Sequence, residues 1–121
     1  MSTTNIQWDK AWRTPDGVPE VSTAWTAEHQ GKLRFIDVRE ADELASPLSH
    51  IKGVEHVPMG DVPAAAASWD PTQPVVLICR SGGRSGRVAQ YLERAGFARV
   101  VSMAGGMLRW NDEKRPTARQ G

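Results

Sequence analysis

The stretch Pro74-Val75-Val76-Leu77-Ile78 does most to limit what this 121-residue chain can become, because it is apolar without alternation. A strand with one wet face alternates apolar and polar residues. An unbroken apolar run must instead be covered on both faces, the condition of a parallel sheet between two layers of helices. The run ends at Cys79, the chain's only cysteine, and breaks at once into Arg80-Ser81-Gly82-Gly83-Arg84-Ser85-Gly86-Arg87. In open α/β sheets ligands sit beyond the carboxyl ends of the strands, so Cys79 falls where a site is expected.

The flanking sequence supports that architecture by alternating strand and helix signals. Ser22 or Thr23 caps a helix running to Gln30 and ended by Gly31. Residues 33–38 predict a strand, 41–45 a helical turn stopped before Pro47, 54–57 a short strand, and 61–68 a helix. After the 75–78 strand comes a helix over 85–95, with Val88, Ala89, Tyr91, Leu92 and Ala95 as its inward stripe and Gly96 as its stop. A strand over 100–103 and a helix over 107–114 close the pattern. Residues 1–19, punctuated by Pro15, Gly17 and Pro19, read as an N-terminal extension, 20–114 as one domain, and 115–121 as a flexible tail. The charged run over 112–119 is expected to be a solvated, frayed end. Trp8 and Trp12 have the spacing of one face of a short helix; we expect that face to pack onto the domain, with a docking surface as the alternative.

A chain of this length supports one core. With 40% hydrophobic and 24% charged residues and a formal net charge of +1, it has the balance of an ordinary globule. No nucleic-acid partner is called for. No segment approaches the roughly 20 apolar residues of a membrane span, and the first residues lack the parts of a signal peptide. The expected setting is cytoplasmic, in keeping with a single cysteine that cannot form an internal disulfide.

A cysteine after Val-Val-Leu-Ile is ordinarily core filling. The eight residues that follow argue for chemistry instead. Gly82, Gly83 and Gly86 allow several N–H groups to converge on one centre, while Arg80, Arg84, Arg87 and the positive end of the next helix favour an anion, and with it a thiolate. Nucleotide loops do not fit: Gly86 precedes Arg87-Val88 rather than Lys and Ser or Thr, and the glycines miss the G-x-G-x-x-G pattern. His50 and His56 with Cys79 match no metal-ligand spacing, so no metal is expected; His50 is expected to cap a turn. No cofactor is called for.

Five segments in order now carry a likeness: Phe35-Ile36-Asp37-Val38-Arg39-Glu40; His50-Ile51-Lys52-Gly53-Val54 with Val57-Pro58; Cys79 to Ser85; Gly96-Phe97; and Gly105-Gly106 with Trp110. Together they resemble the rhodanese family of sulfurtransferases. The resemblance implies an α/β fold, a single rhodanese-like domain with a central parallel five-stranded sheet flanked by helices on both faces. It makes Cys79 the catalytic residue, carrying sulfur as a persulfide held by the loop of Arg80, Ser81, Gly82, Gly83, Arg84 and Ser85. Asp37 and Arg39 are then structural, an ion pair tying a strand end to nearby loops. Ser49 stands where the family often has Gly, Val54 where it often has Ala, and Ile78 where an aromatic often precedes the cysteine.

The implied reaction is a two-step exchange. A small anionic donor, thiosulfate or a thiol persulfide, gives its sulfane sulfur to Cys79, and a thiol (small molecule or protein) or cyanide removes it. Arg80 and Arg84 are expected to attract and orient the donor; Arg87 is left open between that role and a plain surface charge. Two alternatives stand beside this reading. One is a noncatalytic interaction module, which the intact cysteine and glycines argue against. The other is a phosphatase; in the family's phosphatase relatives the loop arginine stands one position later, which makes the loop here shorter.

Overall fold

In the computed structural model, which describes residues 6–118, the apolar run becomes strand β5 (Val75–Ile78) near the middle of a six-stranded sheet, every residue of it buried. The elements in chain order are β1 (Trp12–Arg13), β2 (Pro19–Val21), α1 (Thr23–Glu28), β3 (Arg34–Asp37), α2 (Ala41–Leu44), β4 (Glu55–His56), α3 (Val62–Ala66), β5, α4 (Gly83–Arg94), β6 (Val100–Met103) and α5 (Gly106–Asp112). Short 3-10 turns at Trp8–Lys10 and Met59–Asp61 precede β1 and α3. The spatial order is β1-β2-β6-β5-β3-β4, and all neighbours are parallel except β1 and β2.

Two apolar layers cover this sheet, as an unbroken run requires. On one face Ile36, Val75, Leu77, Cys79 and Val100 meet Val62 and Ala66 of α3 and Val88, Ala89 and Leu92 of α4. On the other, Val21, Phe35, Val76, Ile78, Val101 and Met103 meet Trp25 of α1 and Met107 and Trp110 of α5. Fully burying a residue such as Leu77 or Ile78 contributes about 1.5–3 kcal/mol, which makes β5 the best-anchored strand.

The strand order reverses between β3 and β5: from β3 the chain runs outward to β4 at one edge, and from β5 to β6 on the other side. The crevice between the loops that leave β3 and β5 is therefore the topological switch point. Cys79 sits on its β5 side.

The expected parallel five-stranded sheet is corrected to a mixed sheet of six. The extra strand is β1, which folds back antiparallel on β2 through a hairpin closed by Thr14 N–H to Val18 O (3.0 Å) and Gly17 N–H to Thr14 O (2.8 Å). Trp8 and Trp12 do not share a helix face. Trp8 lies in the 3-10 turn with its ring 5.4 Å from that of Trp25, while Trp12 is on β1, exposed, and donates from Nε1 to Glu20 Oε1 (3.0 Å). Two-residue pairing in a polar stretch leaves too little periodicity to read.

The charged C-terminal run also differs from expectation. Trp110 Nε1 donates to Pro116 O (2.9 Å), Ala118 N–H donates to His50 O (2.8 Å), and Thr117 is buried. The segment is thus tied back across α5 as far as residue 118; Arg119, the last residue of that run, lies outside the described residues.

Candidate active site

Cys79 leaves β5 with its side chain on the α4 face, 1% exposed. Two donors meet its sulfur: the amide of Gly82 at 2.9 Å and the hydroxyl of Ser85 at 3.2 Å. The first requires Gly82 to take φ +106°, a left-handed conformation that side chains disfavour. That turn also starts α4 at Gly83, two residues before the sequence places it. The helix's own ladder opens with Gly86 N–H to Gly82 O (3.0 Å), so the amides of Gly83, Arg84 and Ser85 precede it and remain uncommitted to the helix.

The loop is held from its other side by α5. Met107 N–H donates to Cys79 O and Leu108 N–H to Arg80 O, both at 2.9 Å. Because a trans peptide sets C=O and the following N–H in opposite directions, the amides of Arg80 and Ser81 point away from α5. Loop curvature and the first turn of α4 thus supply a set of free N–H groups around one buried sulfur, a concavity suited to a single anionic atom.

The charges are arranged more closely than residue spacing suggests. The Arg84 guanidinium spans the switch-point crevice and donates from both terminal nitrogens to Glu43 of α2, at 2.7 and 2.8 Å. Glu43 closes a capping box by accepting from Glu40 N–H (2.9 Å). The hydrogen bonds from Arg84 are the main reason its carboxyl is lowered from 4.5 to about 2, while Arg84 is pushed up by the same pair. The fork expected to orient a donor is therefore engaged by a carboxylate. Arg80 and Arg87 are exposed and have no carboxylate partner among the described residues. Ser81 and Gly83 are exposed on the loop surface.

Asp37 and Arg39 are buried completely. Arg39 donates to both carboxylate oxygens of Asp37 (2.9 and 2.8 Å), to Ser49 O (2.7 Å) and to Glu43 O (3.2 Å). The pair ties the end of β3 to α2 and to the 49–50 loop, and so carries the platform that presents Glu43. Ser49 has φ +53°, which accounts for glycine being usual at that position in the family it resembles. His50 donates from Nδ1 to Leu44 O (3.2 Å) and His56 from Nε2 to Arg39 O (2.7 Å), so each ring braces a loop of the crevice.

Glu43 and Ser102 are the site residues that sequence reading missed. Glu43 had a signal in the Glu40-x-x-Glu43 spacing of a capping box, though nothing local points to Arg84. Ser102, whose hydroxyl lies 2.7 Å from that of Ser85, sits inside an otherwise apolar strand, where a lone serine carries no pattern.

A cysteine ringed by loop amides, placed at the switch point of a mainly parallel sheet, defines an α/β protein with a cysteine-centred loop. The rhodanese-like domain family matches residues 21–113, and the chain belongs to that family. Over 102 residues it is 39% identical to a Bacillus subtilis protein named "Putative sulfurtransferase YtwF", covering 82% of this chain and 96% of that one. It is 31% identical over 87 residues to the "Thiosulfate sulfurtransferase GlpE" of Coxiella burnetii, covering 72% and 79%. Among solved structures, protein SSP1007 of Staphylococcus saprophyticus superposes with a TM-score of 0.69 at 31% identity, covering 78% of this chain and 95% of that one. This is a rhodanese-like chain with relatives named as sulfurtransferases.

Proposed function

We propose that this protein moves a sulfane sulfur through a persulfide on Cys79, taking it from thiosulfate or a thiol persulfide and passing it to a thiol or to cyanide. The observation that carries the reading is the pair of donors on Sγ, Gly82 N–H and Ser85 O–H, inside a loop whose other amides are uncommitted. In the first step the Cys79 thiolate attacks the outer sulfur of the donor, the donor's S–S bond breaks, and sulfite or thiolate leaves with the electron pair. The outer sulfur of the resulting persulfide, an anion, is held by hydrogen bonds from loop amides between Arg80 and Ser85, each worth about 1.5–3 kcal/mol. Arg80 and Arg87, the unpaired cations of the rim, draw the anionic donor in, whereas Arg84 acts through its bond to Glu43.

A free cysteine used in this way suits a reducing compartment, and we assign the protein to the cytoplasm on that ground. Among the described residues no helix is long and apolar enough to cross a membrane. The test is to incubate the protein with thiosulfate and measure its intact mass. Wild type gains one sulfur atom and loses it to cyanide as thiocyanate, and Cys79→Ser does neither. Failure of wild type to gain sulfur or to form thiocyanate overturns the proposal, and turnover of an aryl phosphate in its place would favour the phosphatase reading.

A further inference from the structure

Ser102 lies fully buried on β6, with apolar Val100 two residues before it and Leu77 opposite it on β5; its register partner on the other side, Glu20 of β2, is partly buried and accepts from Trp12 Nε1. A hydroxyl in such surroundings costs free energy unless it is bonded. Among the described residues its one partner is the hydroxyl of Ser85, 2.7 Å away. Ser85 is buried too, 3.2 Å from Cys79 Sγ and 3.3 Å from Gly82 O.

A hydroxyl has one proton to give and lone pairs to receive with. Ser85 thus has three acceptors within reach for a single proton: Sγ, Gly82 O and the Ser102 oxygen. Ser102 has only Ser85 to donate to. When it does so, it fills a lone pair of Ser85 and removes itself from the competition for the Ser85 proton. That proton then turns to the sulfur, the strongest acceptor of those left whenever the sulfur is anionic. A hydroxyl that is itself receiving a hydrogen bond is also the better donor.

We propose that Ser102 is a positioning residue of the sulfur site, its hydroxyl donating to Ser85 and so directing the Ser85 proton onto Cys79 Sγ. No proton leaves either oxygen. The consequence in turnover rests on the persulfide reading above. When an acceptor bonds the outer sulfur, the S–S bond breaks and the electron pair returns to Sγ, the atom that receives Gly82 N–H and Ser85 O–H. The Ser102–Ser85 chain therefore serves the leaving sulfur of the second step, while the remaining loop amides serve the outer sulfur.

The test uses the full chain and the rate at which iodoacetamide alkylates Cys79 at neutral pH, a reaction that needs no sulfur donor. Ser102→Val and Ser102→Thr have nearly the same shape and differ by the hydroxyl. The valine variant should react about 2- to 10-fold more slowly than the threonine variant, the range that one hydrogen bond supports. With Ser85→Ala in the background that difference should vanish, because the chain then has no second member. Equal rates for the Val and Thr variants, or a difference that persists in Ser85→Ala, would overturn the proposal. A protein that never gains sulfur from thiosulfate would sink the persulfide reading and leave this measurement standing; a persulfide that forms normally alongside equal rates would do the reverse.

Discussion

A β-carbon on Gly106 would sit 2.5 Å from the carbonyl oxygens of Cys79 and Arg80, on a backbone with φ +56°. The closeness has a purpose: α5 must approach the loop this nearly for Met107 and Leu108 to bond those same carbonyls. Gly106→Ala should therefore cost about 2–4 kcal/mol, combining backbone strain with forced separation of two packed segments. Because the clash falls on the cysteine loop, the alkylation rate of Cys79 should change as well. Gly83→Ala is the matched control, since nothing lies within 4 Å of the added carbon and φ is not positive. In the first turn of α4 it should be neutral or stabilising by up to about 1 kcal/mol. Urea unfolding of both variants checks the contrast, and equal midpoints would mean that the loop and α5 can part at little cost.

Among the elements, β5 and β6 were readable to the residue, because each is a short, fully buried and almost wholly apolar run. α1 was readable from its cap: Ser22 Oγ accepts from Trp25 N–H at 2.9 Å. What joins the elements was not readable. Glu43 and Arg84 are far apart in the chain and meet only because the sheet sets the ends of β3 and β5 side by side. Their contribution to stability has a definite pH dependence. Glu43 is held at about 2 against an ordinary 4.5, so the pair's stabilisation is present in full above roughly pH 4.5 and is lost as pH falls through about 2. The pair is partly exposed, which limits it to about 1 kcal/mol. Glu43→Gln should accordingly unfold more easily than wild type near neutral pH and no more easily near pH 2. Denaturant titrations at the two pH values test this, and a difference that persists in acid would place the role of Glu43 in the neutral capping contact with Glu40.

For the molecule as a whole, the described residues that precede the family match at Val21, 6–20, form part of the packed structure. Trp25 Nε1 donates to Gln7 O (2.9 Å), Arg13 forms a two-bonded ion pair with Glu93 of α4 (3.0 and 2.6 Å), and Gln90 donates to Asp16 O (3.0 Å). Val18 fills the space beside Gly86, where a β-carbon would lie 3.1 Å from its Cγ1. The N-terminal segment thus clamps α4 along its length and covers β2, which would otherwise be a bare sheet edge. Deleting residues 1–18 should cost about 2–5 kcal/mol, chiefly through lost burial of Trp8 and Val18 against Trp25 and Gly86. An uncovered β2 should also make the shortened protein self-associate. The donors on Cys79 come from residues 82 and 85, within the loop and the first turn of α4, so the molecules that remain folded should keep their rate of sulfur uptake. Thermal unfolding, light scattering and sulfur uptake per folded molecule, measured on one preparation well below its midpoint, separate the two effects. An unchanged midpoint would mean that the segment is an appendage, whereas loss of uptake in folded protein would mean that the clamp on α4 holds the cysteine loop in shape.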